Sequence, residues 1–197
     1  MPRIAPLEAP LPPAVAQRMS RLVPATTLAP TLFRAVARNE ALFSFLVDSG
    51  WLGPTGLLDR RSLVPALREA LVLRVCVATG NDYEWRLHVG TISRRMGLTE
   101  AQIADTRSAT PAAGLWEEPA VAAMALADAL VRTRSVDDAL YARLRRSFDE
   151  ATLIELTQLV GLYTGVAMMV GLVLPSDDAY AAPLPPAAGE ESCEASR

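Results

Sequence analysis

Apolar residues recur along most of this chain at helical spacing, and strand-like alternation is missing. Leu32, Phe33, Val36, Ala37, Leu42, Phe43, Phe45 and Leu46 predict one helix from Pro30, which suits a first turn, to Gly50 as a stop. Trp51 to Arg61 contains Gly53, Pro54 and Gly56 and predicts a loop. A second long helix is expected from about Ser62, a candidate N-cap, through Pro65 to Gly80, and a third from Asn81 or Asp82 to Gly97. The short connection between them requires an antiparallel helical hairpin. Thr99 and Gln102 form a capping box for a short helix to about Thr106, and Pro111 and Gly114 then break the chain. Further helices are predicted from about Glu117 to Arg132, from Val136 to Phe148 behind Ser135 and Asp138, and from near Asp149 to just before Pro175.

The ends read differently. Residues 1–29 are rich in Pro and Ala and predict an arm packed along the body, with a short helix over Ala14 to Leu22. Residues 176–197 carry Pro183, Pro185 and Pro186 and a polar end, and are expected to form a disordered tail. That leaves residues 30–175 as a single all-α domain, in keeping with a chain of 197 residues.

Composition narrows the function classes. Half the residues are hydrophobic and only 6% aromatic; the net charge is −3, with 19 basic residues scattered among acids. No basic patch forms that would neutralise several phosphates, so no nucleic acid partner is expected. Cys76 lies in an apolar segment and Cys193 in a polar one, which is not a disulfide framework and fits a reducing cytoplasm. The N-terminal residues lack the apolar run of an export signal. Leu156 to Pro175 has no charged residue and matches a membrane span in length. Thr157, Gln158, Tyr163, Thr164 and three glycines weaken insertion, so a buried interface helix is expected and no membrane. Gly161 and Gly165 are spaced to let a second helix approach closely.

Chemistry concentrates in one hairpin. His88, the only histidine, follows Glu84 by four residues, so both side chains leave one helix face within reach of each other. A carboxylate beside an imidazole fixes its tautomer and raises its basicity, as a general acid/base requires, although the same spacing also describes a surface ion pair. Glu69, in an apolar stretch, needs a partner such as His88 or Arg74, and is equally readable as half of a structural ion pair. Cys76 falls seven residues after Glu69 and reads as a small buried hydrophobe before it reads as a nucleophile. One histidine without clustered thiols cannot assemble the four ligands of structural zinc, so neither metal nor cofactor is expected.

Arg68-Glu69, Leu71 to Arg74, Tyr83-Glu84-Trp85, Arg86-Leu87-His88 and Gly97-Leu98-Thr99 resemble, in order and spacing, the carboxymuconolactone decarboxylase and alkylhydroperoxidase-like superfamily. Gly161-Leu162-Tyr163-Thr164-Gly165 resembles that family's closing helix. The resemblance implies an alkylhydroperoxidase-like helical bundle with a central hairpin, assembly into a trimer or hexamer, and a site where the hairpin meets another helix or subunit. Its peroxidase branch carries Cys-x-x-Cys-x-x-x-His, whereas Asn81 and Glu84 stand at those two thiol places here. A disulfide cycle cannot run without them, so the resemblance points to the decarboxylase branch and to a small-molecule substrate. It implies His88 as proton donor and acceptor, Glu84 as its orienting group and Glu69 as a relay. Arg74, Tyr83, Trp85, Tyr163 and Cys76 are then candidate substrate contacts, with Arg74 or Arg86 holding a carboxylate. Two alternatives stay open: a thiol-dependent antioxidant enzyme using Cys76, and a binding or assembly protein.

Overall fold

The structure is a computed structural model that describes residues 2–24, 27–52, 60, 62–112 and 114–184. Most of the predicted 51–61 loop lies outside the described residues. Among those residues there are nine helices and no strand: α1 (Pro13–Met19), α2 (Thr31–Val36), α3 (Glu40–Asp48), α4 (Pro65–Ala78), α5 (Asp82–Thr91), α6 (Glu100–Asp105), α7 (Glu118–Thr133), α8 (Asp138–Ser147) and α9 (Glu150–Val173).

Local chemistry sets these boundaries. The single helix predicted from Pro30 to Gly50 divides in two, because the Asn39 side chain accepts from the Leu42 amide and starts a new helix. Pro65 occupies the first turn of α4, but the residue before the helix is Val64 and no side chain caps it. Ser62 instead donates its hydroxyl to Glu155. Asn81 caps α5 by accepting from Glu84, and Gly80 reverses the chain before it at φ +68°. α5 ends at Thr91, six residues short of Gly97, and the chain turns before Gly97 adopts φ +96°. The Thr99–Gln102 capping box forms in full. Asp137, not Ser135, caps α8, and Asp149 caps α9.

α4 is the central element. Residues 68–76 are all buried, a helix apolar nearly all round and therefore enclosed on every side. α7 and α9 pack along it, α8 closes on α7, and α5 folds back against it as the expected hairpin. The N-terminal arm adds a smaller core, in which Val15 and Met19 of α1 meet Phe43 and Val47 of α3. α9 is the one helix among the described residues long and apolar enough to cross a membrane by length and composition. Its Leu156, Leu159, Val160 and Tyr163 are buried in the fold, while Ile154, Met168 and Leu172 face outward.

Residues 176–184, expected in a disordered tail, dock as a strap across α5. The Ala182 amide donates to the Arg86 carbonyl at 2.9 Å, and Arg86 Nε donates to the Ala182 carbonyl at 2.6 Å. Asp178 is buried and accepts from the Thr31 amide, the Thr31 hydroxyl and the Tyr83 hydroxyl, at 3.0, 2.8 and 2.6 Å. Gly90 makes the close approach possible, because a Cβ there would lie 2.2 Å from the Tyr180 carbonyl oxygen. That obstacle is backbone and cannot swing aside. Gly90→Ala is therefore expected to lift the strap at a cost of roughly 1–3 kcal/mol, the usual range for overpacking, read as a lower denaturant midpoint.

Candidate active site

Four elements bring one set of side chains together inside the protein. α4 contributes Glu69 and Cys76, α5 contributes Glu84 and His88, the turn after α5 contributes Ser93, and α9 contributes Tyr163. All six are buried.

His88 is held at both ring nitrogens. Nδ1 lies 3.0 and 3.2 Å from the two oxygens of Glu69, and Nε2 lies 3.1 Å from the Tyr163 hydroxyl. The Tyr163 and His88 rings meet edge to face with centroids 5.4 Å apart. Glu84 Oε1 is 3.7 Å from Nε2, an ionic contact and not a hydrogen bond. The Ser93 hydroxyl donates to Glu69 Oε1 at 2.6 Å and fixes the carboxylate from its other side. The expected roles of the two acids are thus exchanged: Glu69 orients the imidazole through Nδ1, and Glu84 stands beside Nε2, the nitrogen that Tyr163 also contacts.

Burial and mutual charge set the protonation states. Burial raises the Glu69 carboxyl, yet the His88 charge, its hydrogen bond and the Ser93 bond outweigh this and hold it below its ordinary value. Burial lowers His88, but the charge and hydrogen bond of Glu69, with the charge of Glu84, carry it above its ordinary value. Glu84 goes the other way. Its desolvation is joined by the charges of Asp178 and Glu69 and exceeds the attraction of His88, so its carboxyl is raised. Burial, with Glu84 and Glu69 nearby, also pushes both the Cys76 thiol and the Tyr163 phenol well above their usual ranges. These shifts favour the carboxylate at Glu69, the charged ring at His88 and the acid form at Glu84.

This arrangement predicts a pH signature in stability. Glu69, lowered from 4.5, stabilises the fold above that value and loses its contribution as pH falls through the folded pKa. His88, raised from 6.5, contributes fully below 6.5 and loses its share as pH rises through its folded pKa. The stability advantage of the wild type over Glu69→Gln is therefore expected to be greatest between 4.5 and 6.5, as read by chemical denaturation at fixed pH.

Several expected substrate contacts have other work. Arg74 makes a two-point ion pair with Asp128, 2.7 Å at each nitrogen, and donates to the carbonyls of Thr106, Ser108 and Ala109, so it braces α4 against α7 and the turn after α6. Arg86 is bound to the strap at Asp177 and Ala182. Tyr83 donates to Asp178 and accepts from the Leu32 amide. Trp85 donates through Nε1 to the Thr106 hydroxyl, and Arg107 lies over its ring at 5.1 Å. Cys76 does lie among the acids, but as a fully buried neutral thiol. Sequence reasoning missed Ser93 and Asp178. Ser93 lies five residues past the histidine, one turn beyond the helical face being read, and Asp178 sits in a segment whose composition reads as disorder.

Comparison with known proteins agrees with this architecture. Residues 54–129 match the family model of the carboxymuconolactone decarboxylase family. No curated protein matches the chain. Among solved structures, the debrominase Bmp8 without ligand superimposes with a TM-score of 0.74 at 16% identity, covering 90% of this chain and 93% of that one. A cysteine-to-alanine variant of Bmp8 in complex with 2,3,4-tribromopyrrole superimposes at 0.71 with 17% identity, covering 90% and 92%. At such identity these structures speak for the fold. The segment 54–129 is thus similar to the carboxymuconolactone decarboxylase family, and the all-helical architecture around it is the fold that these solved structures share.

Proposed function

We propose that the protein is a cofactor-free acid/base enzyme that decarboxylates, or carries out a related lyase or isomerase reaction on, a small carboxylated or lactone-like organic molecule. The observation that carries this reading is the buried histidine clamped between Glu69 on Nδ1 and Tyr163 on Nε2, with Glu84 beside Nε2. Decarboxylation breaks a carbon–carbon bond, sends its electron pair into a conjugated carbonyl, and ends when a proton reaches the resulting enolate. The His88 imidazolium supplies that proton from Nε2, and Glu69 stabilises the charged ring beforehand. Solvent restores the proton after product leaves.

Debromination is not carried over from the structural neighbours. Cys76, the one cysteine among the described residues, is buried and held as the thiol, the weaker nucleophile. A thiol-dependent peroxidase chemistry is disfavoured on the same ground.

The test is a panel of carboxylated lactones and β-keto acids assayed for carbon dioxide release and for deuterium incorporation from heavy water. Turnover or exchange that depends on His88 supports the reading. Turnover that survives its replacement, or that is stopped by alkylating Cys76, overturns it. The same reading includes a cytoplasmic homo-oligomer, trimer or hexamer, formed through the outward face of α9, where Gly161 and Gly165 have open space beside them. Sedimentation of wild type and Gly165→Leu checks it, with a smaller species expected for the variant.

A further inference from the structure

Two buried polar atoms close in sequence to His88 lack a hydrogen-bond partner among the described residues, one on the N-cap of α5 and one in its first turn. They are Asn81 Nδ2 and Glu84 Oε2. Asn81 is 4% exposed and Glu84 6%. A buried donor or acceptor without a partner is costly, and native proteins rarely keep one where it has no use.

The orientation of Asn81 is fixed. Its Oδ1 accepts from the Glu84 amide at 3.2 Å as the cap of α5, so its NH2 group is the unbound end, on the residue bonded to the backbone of the one that carries the second unpartnered atom. An N-cap needs only the oxygen, which aspartate, serine or threonine would supply equally well. The NH2 group is thus not used by the cap.

We propose that Asn81 is a substrate-binding residue, and that its Nδ2 together with the Glu84 carboxyl grips the oxygen of a carbonyl or lactone group in the ligand. The location of the bound molecule rests on the proton-transfer reading above. The Asn81 NH2 group is a donor, and burial raises the Glu84 carboxyl and so favours the form that donates as well. A carbonyl oxygen has two lone pairs and is the stronger acceptor, so it satisfies both donors better than a ring ether oxygen or an amine with its single lone pair. As electrons move into that carbonyl, both bonds strengthen, because the donors face the oxygen on which negative charge develops. Asn81 thereby determines specificity for a carbonyl-bearing ring without requiring an arginine, in agreement with Arg74 and Arg86 being bound elsewhere.

The experiment measures binding, not turnover. Paraconate, a γ-lactone bearing a ring carboxylate, and the corresponding ring ether without the carbonyl are titrated by saturation-transfer NMR into wild type, Asn81→Ser, Asn81→Asp and Glu84→Gln. Both Asn81 variants keep the capping oxygen, which thermal midpoints close to wild type would show. The expected result is paraconate binding at least tenfold weaker in Asn81→Ser, and largely retained in Glu84→Gln, whose amide still donates. The ring ether is expected to bind wild type and Asn81→Ser alike and weakly. If Asn81→Ser proves unstable, Asn81→Asp gives the same comparison with an isosteric cap. Failure of paraconate to bind the wild type, equal binding to wild type and Asn81→Ser, or equal binding of lactone and ether overturns the proposal. Absence of turnover by a wild type that binds paraconate through Asn81 would strike instead at the proton-transfer reading.

Discussion

His88→Gln is expected to lower kcat by about 10²–10⁴-fold, the usual contribution of a positioned general acid or base, while the protein stays folded. Glutamine can still donate to Glu69 and so keeps that buried carboxylate paired, but it has no exchangeable charge to pass on. Histidine-to-alanine would be the poorer choice, because it takes away the hydrogen bond and the charge that offset the burial of Glu69. The companion variant Glu69→Gln keeps the hydrogen-bond geometry and removes the charge that raises His88. Its expected signature is a shift of the pH–rate profile toward acid, with kcat reduced more than KM changes. Full-length variants with a wild-type circular dichroism spectrum and undiminished kcat would eliminate His88 as the proton donor.

Arg74→Met is expected to do the opposite, damaging stability and leaving the site chemistry alone. Arg74 is 6% exposed and satisfies both oxygens of Asp128 and three backbone carbonyls. Removing one side of a buried ion pair costs about 3–5 kcal/mol, because the charge left behind stays desolvated. Asp128 is partly exposed, at 27%, and can recover some hydration, so the lower end of that range applies. For a chain of this size, about 3 kcal/mol corresponds to a fall of roughly 6–12 °C in Tm. Below the new transition, kcat and KM should match the wild type. A raised KM with unchanged Tm would return Arg74 to the substrate contacts.

The contrast between these two residues shows what the sequence could disclose. Glu84 and His88 were legible because both lie on one short helix, where spacing alone puts them together. Glu69 was legible as an acid in need of a partner, since an unpaired carboxylate cannot stay in an apolar helix. The bracing work of Arg74 was not legible, because its partners are carbonyls and an aspartate 54 positions away, which no local pattern records. The same holds for Tyr83 and Trp85, candidate substrate contacts whose polar atoms are spent on Asp178 and Thr106. The helix pattern of the body was readable for the converse reason, since caps such as Asn81, Thr99 and Asp149 act within three residues. Asn39 belongs to that class too, but a continuous apolar face concealed the break it makes between α2 and α3.

Asp178 is where distant parts of the chain meet, touching the first turn of α2 and Tyr83 of α5. The arm in turn hangs from the same neighbourhood, through the Leu7 amide on the Arg34 carbonyl and the Arg3 amide on the Val173 carbonyl. Segments tied at one point open as one cooperative unit. The amides of Leu7, Thr31 and Ala182 should then exchange with solvent deuterium at a common rate, and that rate should slow when α5 is occupied by ligand. An amide 94 residues along the chain from His88 becomes a clock for the breathing of the site.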